Sequence, residues 1–113
     1  MSWRDEWETT GYVRLLSPDQ TDRLRVRFRI EGGRVVRFSV QYEVAIDGKF
    51  HAVVRYDTAH DFAHRDVLDW DGHEIEKDWI AGPDQYAQVL TNAIADLAAD
   101  WRTYRSEFLR RRP

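Results

Sequence analysis

The chain has 113 residues, 42% of them hydrophobic and 13% aromatic, and a formal net charge of −3. That supplies one domain with a single core and argues for a folded globule over a disordered chain. The lack of cysteine excludes disulfides, thiolate nucleophiles and zinc–thiolate sites and fits a cytoplasmic chain, and no apolar run nears the ~18 residues of a membrane span.

Met1-Ser2-Trp3-Arg4-Asp5-Glu6-Trp7 is polar and acidic, unlike a signal peptide. Trp3 and Trp7, four residues apart, are expected to cover an open edge of the core. Residues 11–16 read as a first strand, and Ser17-Pro18-Asp19-Gln20 as a turn. Residues 23–30 alternate arginine with Leu24, Val26, Phe28 and Ile30, the period-two pattern of a strand with one buried face. Glu31-Gly32-Gly33-Arg34 closes a hairpin, because glycine accepts the positive φ of tight turns.

The next strand spans residues 35–46, with Val36, Phe38, Val40, Tyr42, Val44 and Ile46 on one face. Asp47-Gly48 signals a second hairpin. Residues 49–57 follow, with Phe50, Ala52, Val54 and Tyr56 assigned to the core face. His51, Val53, Arg55 and Asp57 fall on the other. Residues 65–70 and 73–80 read as two short strands around Asp71-Gly72, the acid-rich last pair suiting an exposed edge.

Gly82-Pro83-Asp84 starts a helix. Tyr86, Leu90, Ala93, Ile94, Leu97, Trp101, Tyr104 and Phe108 recur at three and four residues and form one stripe. About 26 residues at ~1.5 Å give a helix of roughly 39 Å. A ten-residue strand spans only ~33 Å. The helix is therefore expected to overhang the sheet, its end offering a homodimer or antitoxin contact and leaving Arg110, Arg111 and Arg112 exposed. The fold class is α+β in a single domain, residues 1–113. An antiparallel β-meander of four to six strands (residues 11–80) has one face covered by a long C-terminal helix (residues 84–110).

Charge is segregated along the chain. Residues 23–37 hold six arginines against one glutamate, and residues 57–78 hold eight acids against Arg65 and Lys77. On the sheet face away from the helix, Arg23, Arg25, Arg27, Arg29 and Arg37 make a candidate nucleic-acid-binding stripe. Alternate positions lie ~6.6 Å apart, near the phosphate spacing of a single strand. An acidic partner is the other occupant such a face suits, and ion pairing with neighbouring acids is the structural account of it. The aromatics, by this phase, fall on the buried face.

The richest stretch is Arg55-Tyr56-Asp57-Thr58-Ala59-His60-Asp61-Phe62-Ala63-His64-Arg65-Asp66. Together with the tail Trp101-Arg102-Thr103-Tyr104-Arg105-Ser106-Glu107-Phe108, it resembles a family of small bacterial α+β domains, which implies a fold and no particular activity. More distantly, Arg55-Tyr56-Asp57, His60 and His64 resemble TumE-like toxins of bacterial toxin–antitoxin pairs. Those carry an Arg-Tyr-Asp segment and a His-rich stretch after a meander and before a helix. Their denser His-Pro cluster is replaced here by Ala-His-Asp-Phe-Ala-His.

On a helical turn His60 and His64 would share one face. Two imidazoles can act as general base and acid in cleaving RNA. Arg55 or Arg65 would stabilise the phosphate's developing charge, and Asp57, Asp61 or Asp66 would orient an imidazole. This chemistry needs no metal or other cofactor. A two-histidine metal set with Asp57 or Asp61 is the lesser alternative.

The expected function is a toxin-like, metal-independent ribonuclease or a nucleic-acid-associated module. The alternative is a non-catalytic interaction or structural domain, with the histidines bonded into the strand crossover. No Walker loop, dinucleotide fingerprint or serine-hydrolase elbow is present.

Overall fold

The computed structural model describes residues 10–113; Trp3 and Trp7 lie outside the described residues. Six strands follow one another as β1 (Thr10–Leu15), β2 (Asp22–Glu31), β3 (Arg34–Ile46), β4 (Lys49–Asp57), β5 (Ala63–Leu68) and β6 (Glu74–Ala81). They pair antiparallel in sequence order, β1-β2-β3-β4-β5-β6. The helix α1 (Tyr86–Arg110) then returns across one face. This is the expected α+β meander at the upper end of its strand count.

Local chemistry explains most of the boundaries. Gly32 and Gly33 turn the β2–β3 hairpin at φ 56° and 76°, and Asp47 and Gly48 turn β3–β4 at φ 53° and 78°. Those are the paired left-handed conformations of a two-residue hairpin loop. Pro83 opens the short 3₁₀ turn Pro83–Gln85 that leads into α1. Leu24, Val26, Phe38, Val40, Tyr42 and Val54 are fully buried beneath the helix, which buries Tyr86, Val89, Ala93, Leu97, Trp101 and Phe108. Leu90, Ile94 and Tyr104 pack half-buried along its flanks.

Two sequence expectations change. The register of β3 with β4 shifts between Tyr42 and Glu43. Val54 pairs with Tyr42 but Ala52 pairs with Glu43, leaving Val53 as an extra, fully buried residue. A one-residue slip transfers every following side chain to the opposite face. Phe50 and Ala52 therefore lie on the arginine face, where the Arg23 guanidinium sits 3.4 Å from the Phe50 ring centroid. His51 joins the helix side, against Trp70 and Phe108.

The helix also does not overhang. β3 has 13 residues and spans ~43 Å, against ~38 Å for the 25 residues of α1. Phe108 is consequently core, and Arg112 bonds Asp47 at 2.9 Å.

Polar contacts stitch helix to sheet. The Asp96 carboxylate accepts the hydroxyls of Tyr56 (2.6 Å) and Tyr104 (2.8 Å), and Tyr42 donates to buried Asp22. Burial first, then the neighbouring carboxylate, pushes the Tyr42, Tyr56 and Tyr104 phenols above their ordinary pKa; burial and Asp61 do the same for Tyr86. The fold holds these protons more tightly than the unfolded chain does. Stability is thus fully present below the unfolded tyrosine value of about 10 and is lost as pH rises through the higher folded values. Each such tyrosine steepens that loss by up to about 1.4 kcal/mol per pH unit. Urea midpoints should hold to about pH 10 and fall above it, with the tyrosinate absorbance of these residues appearing only as the protein unfolds.

Candidate functional site

The face away from the helix is polar in its middle and aromatic at one end. Cross-strand register aligns Arg23, Arg25, Arg27 and Arg29 on β2 with Glu43, Gln41, Ser39 and Arg37 on β3. Arg55 and Asp57 on β4 continue that face, followed by His64 and Asp66 on β5 and Lys77 and Trp79 on β6. The arginines are partly neutralised. Glu43 accepts Arg23 at 2.7 Å and Arg25 at 3.4 Å, and Arg29 pairs Glu31 at 2.6 Å. Gln41 links Glu43 to Arg55, whose Nε donates to its Oε1 at 2.7 Å. Among the described residues cations still outnumber carboxylates here: Arg23, Arg25, Arg27, Arg29, Arg37, Arg55 and Lys77 against Glu31, Glu43, Asp57, Asp66 and Glu74.

At the β4–β5 end, Asp57 lies directly opposite His64, with Asp66 two residues further along the same face. The three are only 5%, 2% and 6% exposed. His64 Nε2 lies 2.9 Å from Asp57 Oδ1 and 3.4 Å from Asp66 Oδ2. Its Nδ1 lies 2.8 Å from the Phe62 carbonyl, which can only accept, so Nδ1 carries a proton. Lys77 pairs Asp66 Oδ1 at 2.8 Å and Glu74 at 3.0 Å. Burial opposes charge on this lysine, but its interactions with the accepting carboxylates of Asp66 and Glu74 outweigh it and raise its pKa. Over the cluster lie two exposed rings, Trp79 (58%) and Phe62 (37%). They meet edge to face at 5.9 Å, with Trp79 tilted 5.3 Å from His64.

The segment between β4 and β5 is strained. His60 and Asp61 take φ 66° and 59° in a short 3₁₀ turn, and left-handed backbone costs a non-glycine residue about 1–2 kcal/mol. The Asp57 carboxylate caps the Ala59 N–H at 3.0 Å, and Thr58 O accepts the Asp61 N–H at 3.2 Å. Phe62 is extended, which delivers its carbonyl to His64.

Arg55, Asp57 and His64 are therefore brought together. His60 is exposed in the strained turn, outside any helical i, i+4 geometry with His64. Arg65 points to the opposite face, because strand neighbours alternate. There it bonds Asp78 at 2.6 Å, Glu76 at 3.2 Å and the Tyr104 hydroxyl at 2.9 Å, fastening α1 to β5 and β6. The metal set weighed from sequence, His60 and His64 with Asp57 or Asp61, is not the one brought together; among the described residues ligand spacing is found in Asp57, His64 and Asp66 and in the more exposed Asp69, Asp71 and His73. Lys77 and Trp79 were outside the predicted site, and Asp66 was in it only as one of three acids that could orient an imidazole. The signal for Asp66 was its i+2 spacing from His64 on one strand. No helix among the described residues is long and apolar enough to cross a membrane.

Together these features define an α+β domain with a helix-covered face and, on the other, a basic surface around a buried histidine–aspartate cluster. The chain belongs to the family described as a domain of unknown function, DUF7718, whose profile matches residues 1–113. No curated protein and no solved structure matches it.

Proposed function

We propose that the domain is a nucleic-acid-associated module that binds single-stranded RNA across its basic face. The observation that carries this reading is the exposed Trp79–Phe62 pair at the end of the arginine-rich face. Binders of single strands combine a basic track for the backbone with aromatic faces on which bases stack. The sequence phase had denied the face its aromatics; Phe50, Phe62 and Trp79 supply them, and Lys77 lies 5.1 Å from the Trp79 ring centroid. The shared ion pairs set a moderate affinity, since each arginine must exchange a carboxylate for a phosphate.

Binding of a labelled, unstructured RNA, followed by anisotropy, tests this. With about four phosphates engaged, affinity should fall about 50-fold between ~50 and ~200 mM salt. Trp79→Ala should weaken binding about 10-fold. Affinity flat with salt, or unchanged in Trp79→Ala, sinks the reading.

Cleavage of the bound strand is a second reading, favoured by Arg55, Asp57 and His64 lying on the same face. It is scored in the same mixtures. RNA that stays intact beside wild type, or that is cut equally by a folded His64→Gln variant, rules it out.

A further inference from the structure

We propose that Asp57, His64 and Asp66 form a binding site for one first-row divalent metal ion, such as Zn²⁺ or Mn²⁺. The proposal is independent of RNA binding. The first support is convergence. Nε2 of His64 and one oxygen of each aspartate lie within 4.8 Å of one another, and the two edges from Nε2 measure 2.9 and 3.4 Å. Ligands held about 2.1 Å from one ion stand about 3.0 Å apart at right angles and about 3.4 Å apart at tetrahedral angles.

The second support is the ring's orientation. The Phe62 carbonyl fixes the proton on Nδ1, which turns Nε2 toward two carboxylate oxygens. A lone pair there is repelled unless a cation lies between them. The third is the outer layer. Metal ligands are held by hydrogen bonds on their far side. His64 has one in the Phe62 carbonyl, and Lys77 pairs with Asp66 through Oδ1, the oxygen that does not face His64; on Asp57 the Ala59 N–H bonds Oδ1, the oxygen that also faces His64.

Burial adds the electrostatic demand. Two carboxylates at 5% and 6% exposure need compensation, and Lys77 supplies one charge. One imidazole with two carboxylates and no sulfur favours borderline-to-hard divalent ions over soft monovalent copper. Strands β4 and β5 supply all three donors, and the exposed Trp79 ring packs against His64. A proton on Nε2 would answer the same two carboxylates, so the test must separate it from a metal.

The full 113-residue chain, freed of metal by a chelator that is then removed, is titrated with ZnCl₂ and MnCl₂. One Zn²⁺ per chain should raise the unfolding midpoint by about 5 °C or more at saturation. Mn²⁺ should broaden the amide resonances around Asp57, His64 and Asp66. Asp57→Asn and Asp66→Asn should each lose the shift, while His73→Ala should keep it. That control matters because Asp69, Asp71 and His73 form an exposed cluster of similar spacing. No midpoint shift up to ~1 mM metal overturns the site and leaves an imidazolium in its place. So does broadening centred on residues 69–73, or a shift that survives both asparagine variants. The broadening experiment uses wild-type protein, so it decides even if a variant fails to fold.

Discussion

Phe108→Ala should destabilise the domain by about 3–5 kcal/mol, the cost of deleting a large buried aromatic and leaving a cavity. Phe108 is fully buried in the last turns of α1. Its ring stacks on Trp70 at 4.6 Å and 12°, with His51 on another side. Its carbonyl accepts the Trp70 indole N–H at 2.8 Å, so the helix end is fastened by both ring and backbone. A domain of this size has only about 5–15 kcal/mol in total, and the variant would sit near the edge of folding. Arg110→Ala, on the exposed side of the same segment, should change stability by less than about 0.5 kcal/mol. Urea unfolding of the two variants beside wild type is the measurement. A loss below about 1 kcal/mol for Phe108→Ala would mean that the helix end frays and that the stack is not part of the cooperative core.

That helix end also marks where sequence reasoning stopped. The stripe from Tyr86 to Phe108 was legible because a 3.6-residue period is a local property. The hairpins at Gly32-Gly33 and Asp47-Gly48 were legible because their turn chemistry leaves few alternatives. The overhang was a wrong length comparison, made against a ten-residue strand when β3 runs to 13.

The Val53 bulge was illegible for a different reason. Ala52, Val53 and Val54 are all apolar, so either phase reads as a strand with a buried face. Only the pairing with Glu43 decides between them. That one residue moves Phe50 to the basic face and His51 to the core.

The candidate site was half legible. Arg55 and Asp57 were correctly placed on the face away from the helix. His64 was paired with the wrong partner, because His60 at i−4 suggests a helical turn. Two successive left-handed residues in that turn are not encoded by any local pattern of asparagine or glycine. Starting β5 at Ala63 rather than Arg65 would have aligned His64 with Asp57 across the strands and with Asp66 along its own. It would also have sent Arg65 to the helix side, where Asp78 and Tyr104 hold it.

His64→Ala should cost about 3–5 kcal/mol in metal-free protein, and most of that cost should be electrostatic. Removing the ring leaves Asp57 and Asp66 facing each other while nearly buried, with Lys77 able to pair only one of them. Losing one member of a buried charged group is expensive because the remainder is left uncompensated. If that is the cause, withdrawing a carboxylate should relieve it. Asp66→Asn made in the His64→Ala background should therefore cost less than Asp66→Asn made alone, or even restore stability. The double-mutant cycle should give a coupling of at least about 1 kcal/mol in that direction. Urea unfolding of the four proteins in the presence of a chelator closes the cycle. Additivity within about 0.5 kcal/mol would assign the loss to the cavity left by the imidazole, since a pure packing defect has no reason to care whether residue 66 is charged.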